Sequence, residues 1–173
     1  VRPALALGVV GALAASALAW HTLAQGPPRY ETDLAAYVHR HLDGPETTRD
    51  PILVWGNVPE LYWRTDRRPA GGFTHSEFLT GYSGGRRHRT ADESTLPDRA
   101  LYDDWLQRLR EDPPALILDT AAAGIRGGHD FPMAGFTAFA AFVHRHYERV
   151  ATVDGVRVYA LADSGGLGPE GGP

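Results

Sequence analysis

Two segments of the chain are near copies of each other, AAYVHRHLD (35–43) and AAFVHRHYE (140–148). Each carries a His-Arg-His triplet, His39-Arg40-His41 and His144-Arg145-His146. On a helix the two histidines of a triplet stand about 200° apart, so they cannot share a metal on one face. Cations in a last helical turn are favoured by the helix dipole, which gives both triplets a structural role. A metal-dependent hydrolase built on these pairs is a competing reading; neither a metal site nor a cofactor is expected. Asp119 ends an apolar run, where a carboxylate serves as a general base or caps the next turn. Arg86-Arg87-His88-Arg89 is a local basic patch, suited to solvent or to an anionic headgroup.

Several chemistries lack their residues. There is no cysteine, which removes disulfides, thiolate zinc sites and cysteine nucleophiles. No P-loop occurs and no G-x-G-x-x-G follows a strand, so nucleotide binding has no signature. No G-x-S-x-G elbow exists for a hydrolase triad. All 17 basic residues are Arg and the net charge is −4, which argues against a nucleic-acid partner.

The elements that would position these residues follow from periodicity. Residues 31–42 have helical spacing, with Thr32 as a cap and Gly44-Pro45 as a stop. Pro51–Trp55 is a short apolar run of the buried-strand type, ended by Gly56. Asn57 is placed to cap a short helix over 58–64, with Pro59 in its first turn. Residues 68–96 are rich in Gly, Arg and Ser, with an aromatic stretch from Phe73 to Tyr82. Residues 98–110 and 136–147 read as further helices. Residues 115–118, 149–153 and 156–161 read as strands, the last two joined by the hairpin turn Asp154-Gly155. Alternating helices and short apolar strands predict an α/β fold: a small, mainly parallel sheet flanked by helices, closed by a C-terminal β-hairpin. Ligands of such sheets sit beyond the carboxyl ends of the strands, here Trp55-Gly56-Asn57 and Asp119-Thr120.

The chain of 173 residues is uneven. No charged residue stands between Arg2 and Arg29. A helix over residues 3–24 would be about 33 Å long, matching a bilayer core. Residues 1–28 therefore read as a transmembrane helix with its linker. The small-x-small sequences Ala17-Leu18-Ala19 and Thr22-Leu23-Ala24 keep a cleaved signal peptide open. Either reading puts the α/β domain, residues 29–163, outside the cytoplasm. The Gly/Pro-rich tail 164–173 is predicted to be disordered.

One stretch is more specific. Trp55-Gly56-Asn57-Val58-Pro59-Glu60-Leu61-Tyr62, followed by Arg67-Arg68-Pro69-Ala70, resembles the pattern W-G-x-x-P-x-[IL]-Y-x-x-x-x-R-x-P-A. That pattern follows the last membrane helix of bacterial polytopic glycosyltransferases of the GT-C class, which include protein mannosyltransferases and lipid A aminoarabinose transferases. Residues 78–82, 114–119 and 150–159 resemble later elements of the same domain. The resemblance implies the C-terminal extracytoplasmic domain of an enzyme that moves a sugar from a polyprenyl-phosphate donor to an acceptor glycan or protein. It implies a bilayer partner and a cell-membrane location. The catalytic Asp of that class lies in an upstream loop outside this sequence, so no catalytic residue is expected within it. Trp55, Asn57, Glu60, Tyr62, Arg67, Arg68 and Asp119 are expected near one sheet edge as a ligand or docking surface. The alternative is a secreted or singly membrane-anchored binding module without enzymatic activity.

Overall fold

The computed structural model describes residues 26–44, 50–81 and 91–162, with Ser16 and Trp20. The rest of the charge-free segment up to Gln25, the Arg86–Arg89 patch and the 164–173 tail lie outside the described residues. Among the described residues no helix is long and apolar enough to cross a membrane.

In chain order the elements are α1 (Arg29–Leu42), β1 (Ile52–Trp55), α2 (Glu60–Thr65), the single turn α3 (Glu77–Thr80), α4 (Arg99–Glu111), β2 (Leu116–Asp119), α5 (Thr137–His146), β3 (Tyr147–Val153) and β4 (Val156–Leu161). Short 3-10 turns fill several of the connections. Two sequence-based caps are corrected. α1 begins two residues earlier than expected, behind the extended Pro28, so Thr32 sits inside the helix. The Pro28 carbonyl accepts from the Glu31 and Thr32 N–H groups, at 3.0 and 3.4 Å, and so closes the first turn. Pro59 rather than Asn57 precedes α2. The Asn57 amide instead donates to Glu77 Oε1 at 2.7 Å. α4 begins one residue later than expected, with Asp98 as its cap: Asp98 Oδ1 accepts from the Leu101 N–H at 2.9 Å.

The sheet order is β1-β2-β4-β3. β1 and β2 are parallel, in register from Ile52 opposite Leu116 to Trp55 opposite Asp119. β4 runs antiparallel to both β2 and β3. The sheet is therefore mixed, not mainly parallel. The cause is the hairpin: its second strand, not its first, docks against β2. Asp154 and Gly155 both have positive φ (47° and 83°), the geometry of a two-residue hairpin turn.

Side chains alternate across the sheet. Ile52, Val54, Leu116, Leu118, Val156, Val158 and Ala160 face α1 and α2 and pack on Leu34, Val38, Leu42 and Leu61. Leu53, Trp55, Ile117 and Tyr147 face α4 and α5 and pack on Tyr102, Trp105, Phe136 and Phe139. The result is three layers, helix–sheet–helix. On β4 the outward positions toward α5, Arg157 and Tyr159, are less covered than Val156, Val158 and Ala160.

Gly56 lets the two parallel strands end close together. Its φ is 138°, and a Cβ there would lie 1.9 Å from Thr120 Oγ1. Thr120 donates both its N–H (3.0 Å) and its hydroxyl (2.9 Å) to the Trp55 carbonyl. Gly56 also exchanges hydrogen bonds with Ser76: its N–H donates to the Ser76 hydroxyl and its carbonyl accepts from the Ser76 N–H. A side chain at position 56 would break this junction.

Candidate functional site: a cleft beyond the carboxyl end of β2

Asp119 is the last residue of β2 and is 2% exposed. Two residues after Ile117 on a strand, it points to the α5 side of the sheet. Its Oδ1 accepts from the Ala122 N–H at 3.1 Å and caps the turn that leaves the strand. Burial pushes its carboxyl above the ordinary 3.8, against the opposing pull of the Ala122 N–H and the positive charge of Arg157.

Arg157 is the cross-strand partner of Asp119 in the β2–β4 pair. The two groups interact through space without closing a contact ion pair. A cleft of about 360 Å³ opens in front of them. His129 and Met133 enter it from the loop after β2, Ala140 and His144 from α5, and Tyr159 from β4. Ala140 and His144 are four residues apart on α5 and so share a helix face. The small Ala140 leaves the room that His144 borders.

The two His-Arg-His triplets do not meet in one site. His144 lines the cleft, while the His146 ring lies 5.2 Å from that of Phe142. In the other copy, His39 contacts Asp43 and the Arg64 carbonyl, each at 2.9 Å, and His41 Nδ1 approaches the Tyr37 carbonyl at 2.7 Å. Among the described residues no group of three or more His, Asp or Glu side chains could hold a metal ion.

The residues expected on one sheet edge separate into different places. Trp55 is fully buried in the core, with its Nε1–H donated to the Phe131 carbonyl at 3.1 Å. Tyr62 is also buried, its hydroxyl oxygen accepting from the Val54 N–H at 3.0 Å, and burial pushes its pKa far up. Asn57 and Glu60 do stand beyond the carboxyl end of β1, but on the side of α1. There Arg126 donates to the Asn57 carbonyl and to both Glu60 oxygens, each at 3.0 Å. Burial alone would raise the Glu60 carboxyl; the bond and charge of Arg126 outweigh it and hold the group below its ordinary value.

Arg67 and Arg68 are at the opposite end of β1, where the Arg68 carbonyl accepts from the Ile52 N–H at 3.2 Å. Arg67 is buried and donates to the Leu42 carbonyl at 2.7 Å and to Asp43 at 2.9 Å. Arg68 is exposed and forms a two-pronged pair with Asp112 at 2.6 and 3.0 Å. Arg67 and Arg68 therefore lie away from the carboxyl edge, at which Trp55 pairs with Asp119; of the seven residues only Asp119 borders the cleft. A residue after a chain reversal points back toward the strand's start, and residue spacing does not reveal that return.

Arg157, Tyr159, His129 and Met133 were not among the sequence candidates. The alternation V-R-V-Y of β4 signals that Arg157 and Tyr159 share a face. It does not signal that β4 pairs with β2, and that pairing is what sets Arg157 beside Asp119.

The loop between β2 and α5 is pinned on both sides of the sheet. Arg126 adopts a left-handed backbone (φ 51°) and reaches Glu60 and, at 3.7 Å, the buried Glu31. His129, three residues on, borders the cleft. No family model, curated protein or solved structure matches the chain.

Proposed function

We propose that the chain is the C-terminal extracytoplasmic accessory domain of a membrane glycosyltransferase that uses a polyprenyl-phosphate sugar donor. One observation carries this reading. The motif that resembles the glycosyltransferase pattern forms a single interlocked unit. Trp55, Leu61, Tyr62 and Ala70 are buried, and Gly56 permits the contact with Thr120. Pro59 precedes α2, Arg67 ties the unit to the end of α1, and Pro69 bridges Ile52. Each fixed position of the pattern therefore has a structural duty, as expected of a motif that specifies a domain rather than a reacting centre. The apolar N-terminal segment stands ahead of this unit, with α1 between them, on the side where the resemblance puts a last membrane helix. In this role the domain covers a membrane-embedded active site and presents a surface to the acceptor; the catalytic base belongs to another part of the enzyme.

The coding DNA upstream of Val1 tests the proposal. An in-frame continuation encoding several apolar segments supports it. A translation start directly ahead of Val1 overturns it in favour of the anchored or secreted binding module. Intact mass after expression in a secreting host then separates those two, because a signal peptide would remove about 20–24 residues.

A further inference from the structure

The Asp119–Arg157 cleft has the chemistry of a ligand site, and we propose that it binds a neutral polyhydroxylated ligand, a saccharide unit, through a pair of adjacent hydroxyls. Its volume, about 360 Å³, is within the range of small-molecule sites. Its floor is a buried carboxylate acceptor and its wall a guanidinium donor, set opposite each other by strand register. The side chains of Arg157 and His144 make no hydrogen bond or ion pair with the described residues, and both line the cleft.

The charges select the class of ligand. A simple anion drawn to Arg157 meets the Asp119 carboxylate, and a simple cation drawn to Asp119 meets Arg157. A hydroxyl both donates and accepts. Of two neighbouring hydroxyls, one donates to Asp119 while the other accepts from Arg157, and neither charge is left uncompensated. The remaining lining is apolar, with Met133, Pro132 and Ala140 beside the Tyr159 ring. Such a wall suits the C–H face of a sugar ring and not a fully polar ion. His129 and His144 at the margin add donors or acceptors for outlying hydroxyls.

The cleft makes this assignment independent of the glycosyltransferase reading, which the upstream DNA tests separately. The experiment is a titration of the intact chain with methyl glycosides of mannose, glucose and galactose, followed by amide NMR. Inorganic phosphate serves as the anionic probe. Shifts confined to residues of the cleft, saturating with at least one glycoside, are the expected result. Arg157→Gln keeps the exposed position polar and should weaken that binding about tenfold or more, the scale of a lost charged hydrogen bond. Asp119→Asn keeps the Oδ1 cap on Ala122 and should weaken binding similarly, with the native amide pattern confirming the fold. Absence of shifts with every glycoside, shifts outside the cleft, unchanged binding in Arg157→Gln, or saturable binding of phosphate in place of glycosides would each overturn the proposal.

Discussion

Asp119 and Arg157 are direct partners across the antiparallel β2–β4 pair, yet they do not close an ion pair. The strand register fixes their backbones, and the cleft between their side chains stays open. A carboxylate 2% exposed without a contact cation pays a desolvation cost, which is why its pKa is raised.

That shift has a sign that can be tested. The folded pKa of Asp119 lies above its unfolded value of 3.8, so folding favours the protonated form. Its stabilising contribution is complete below 3.8 and is lost as pH rises through the folded pKa. Asp119→Asn should therefore raise the melting temperature at neutral pH, with the gain shrinking as the solution is acidified below the ordinary carboxylate range. Thermal melts of both proteins across that interval check it; a gain that grows with acid refutes the assignment.

Gly56 and Thr120 form a coupled pair. Gly56→Ala should destabilise the domain by about 3 kcal/mol, from overpacking and a positive φ. In a Thr120→Ala background the same substitution should cost less, because the atom that a Cβ would meet at 1.9 Å is the Thr120 hydroxyl oxygen. A double-mutant cycle by urea denaturation measures the difference. Strict additivity would show that the close approach is not what demands glycine.

The adjacent arginines should behave differently. Arg68→Ala removes an exposed pair with Asp112 and should cost less than about 1 kcal/mol. Arg67→Ala removes a buried guanidinium that donates to the Leu42 carbonyl and to Asp43, and should cost about 1–3 kcal/mol. Chemical denaturation of the two variants side by side gives the comparison, and equal costs would contradict the burial difference.

Arg126 anchors the loop that carries His129. Arg126→Ala should cost about 1 kcal/mol, since its pair with Glu60 is partly exposed and screened by solvent. It should also speed amide hydrogen exchange across residues 124–130 without affecting β2 or β4. The Glu60 carboxyl is held below its ordinary value, so its contribution is present above 4.5 and is lost as pH falls through the folded pKa. Arg126→Ala should remove that part of the acid sensitivity, measured as the change in melting temperature between neutral and acid solution.

Trp55 tests the core reading of a motif residue. Trp55→Phe keeps most of the ring packing against Trp105 and Phe139 but loses the donor to Phe131 O. It should cost about 1–3 kcal/mol, the scale of a lost buried hydrogen bond plus a small void. Glycoside titration of the same variant should be unchanged, because the Trp55 ring lies behind the cleft and does not line it.

The local elements are legible in residue type and spacing alone. The apolar runs ILVW and ALIL could bury both faces only inside a sheet, the helical stripes of α1 and α4 each needed an apolar partner, and Asp154-Gly155 is a pair suited to a hairpin turn. Those features are set by residue type and near neighbours, so they are legible without the fold. Asp119 was legible too, because a carboxylate at the end of an apolar strand is unusual. The strand that lies beside β2 is set instead by long-range packing. Once β4 took that place antiparallel, Arg157 came to face Asp119, Tyr159 and His144 closed a cleft, and Arg67 and Arg68 stayed at the far end of β1. Pairing between strands tens of residues apart depends on the summed packing of both sheet faces, a quantity that no local pattern encodes.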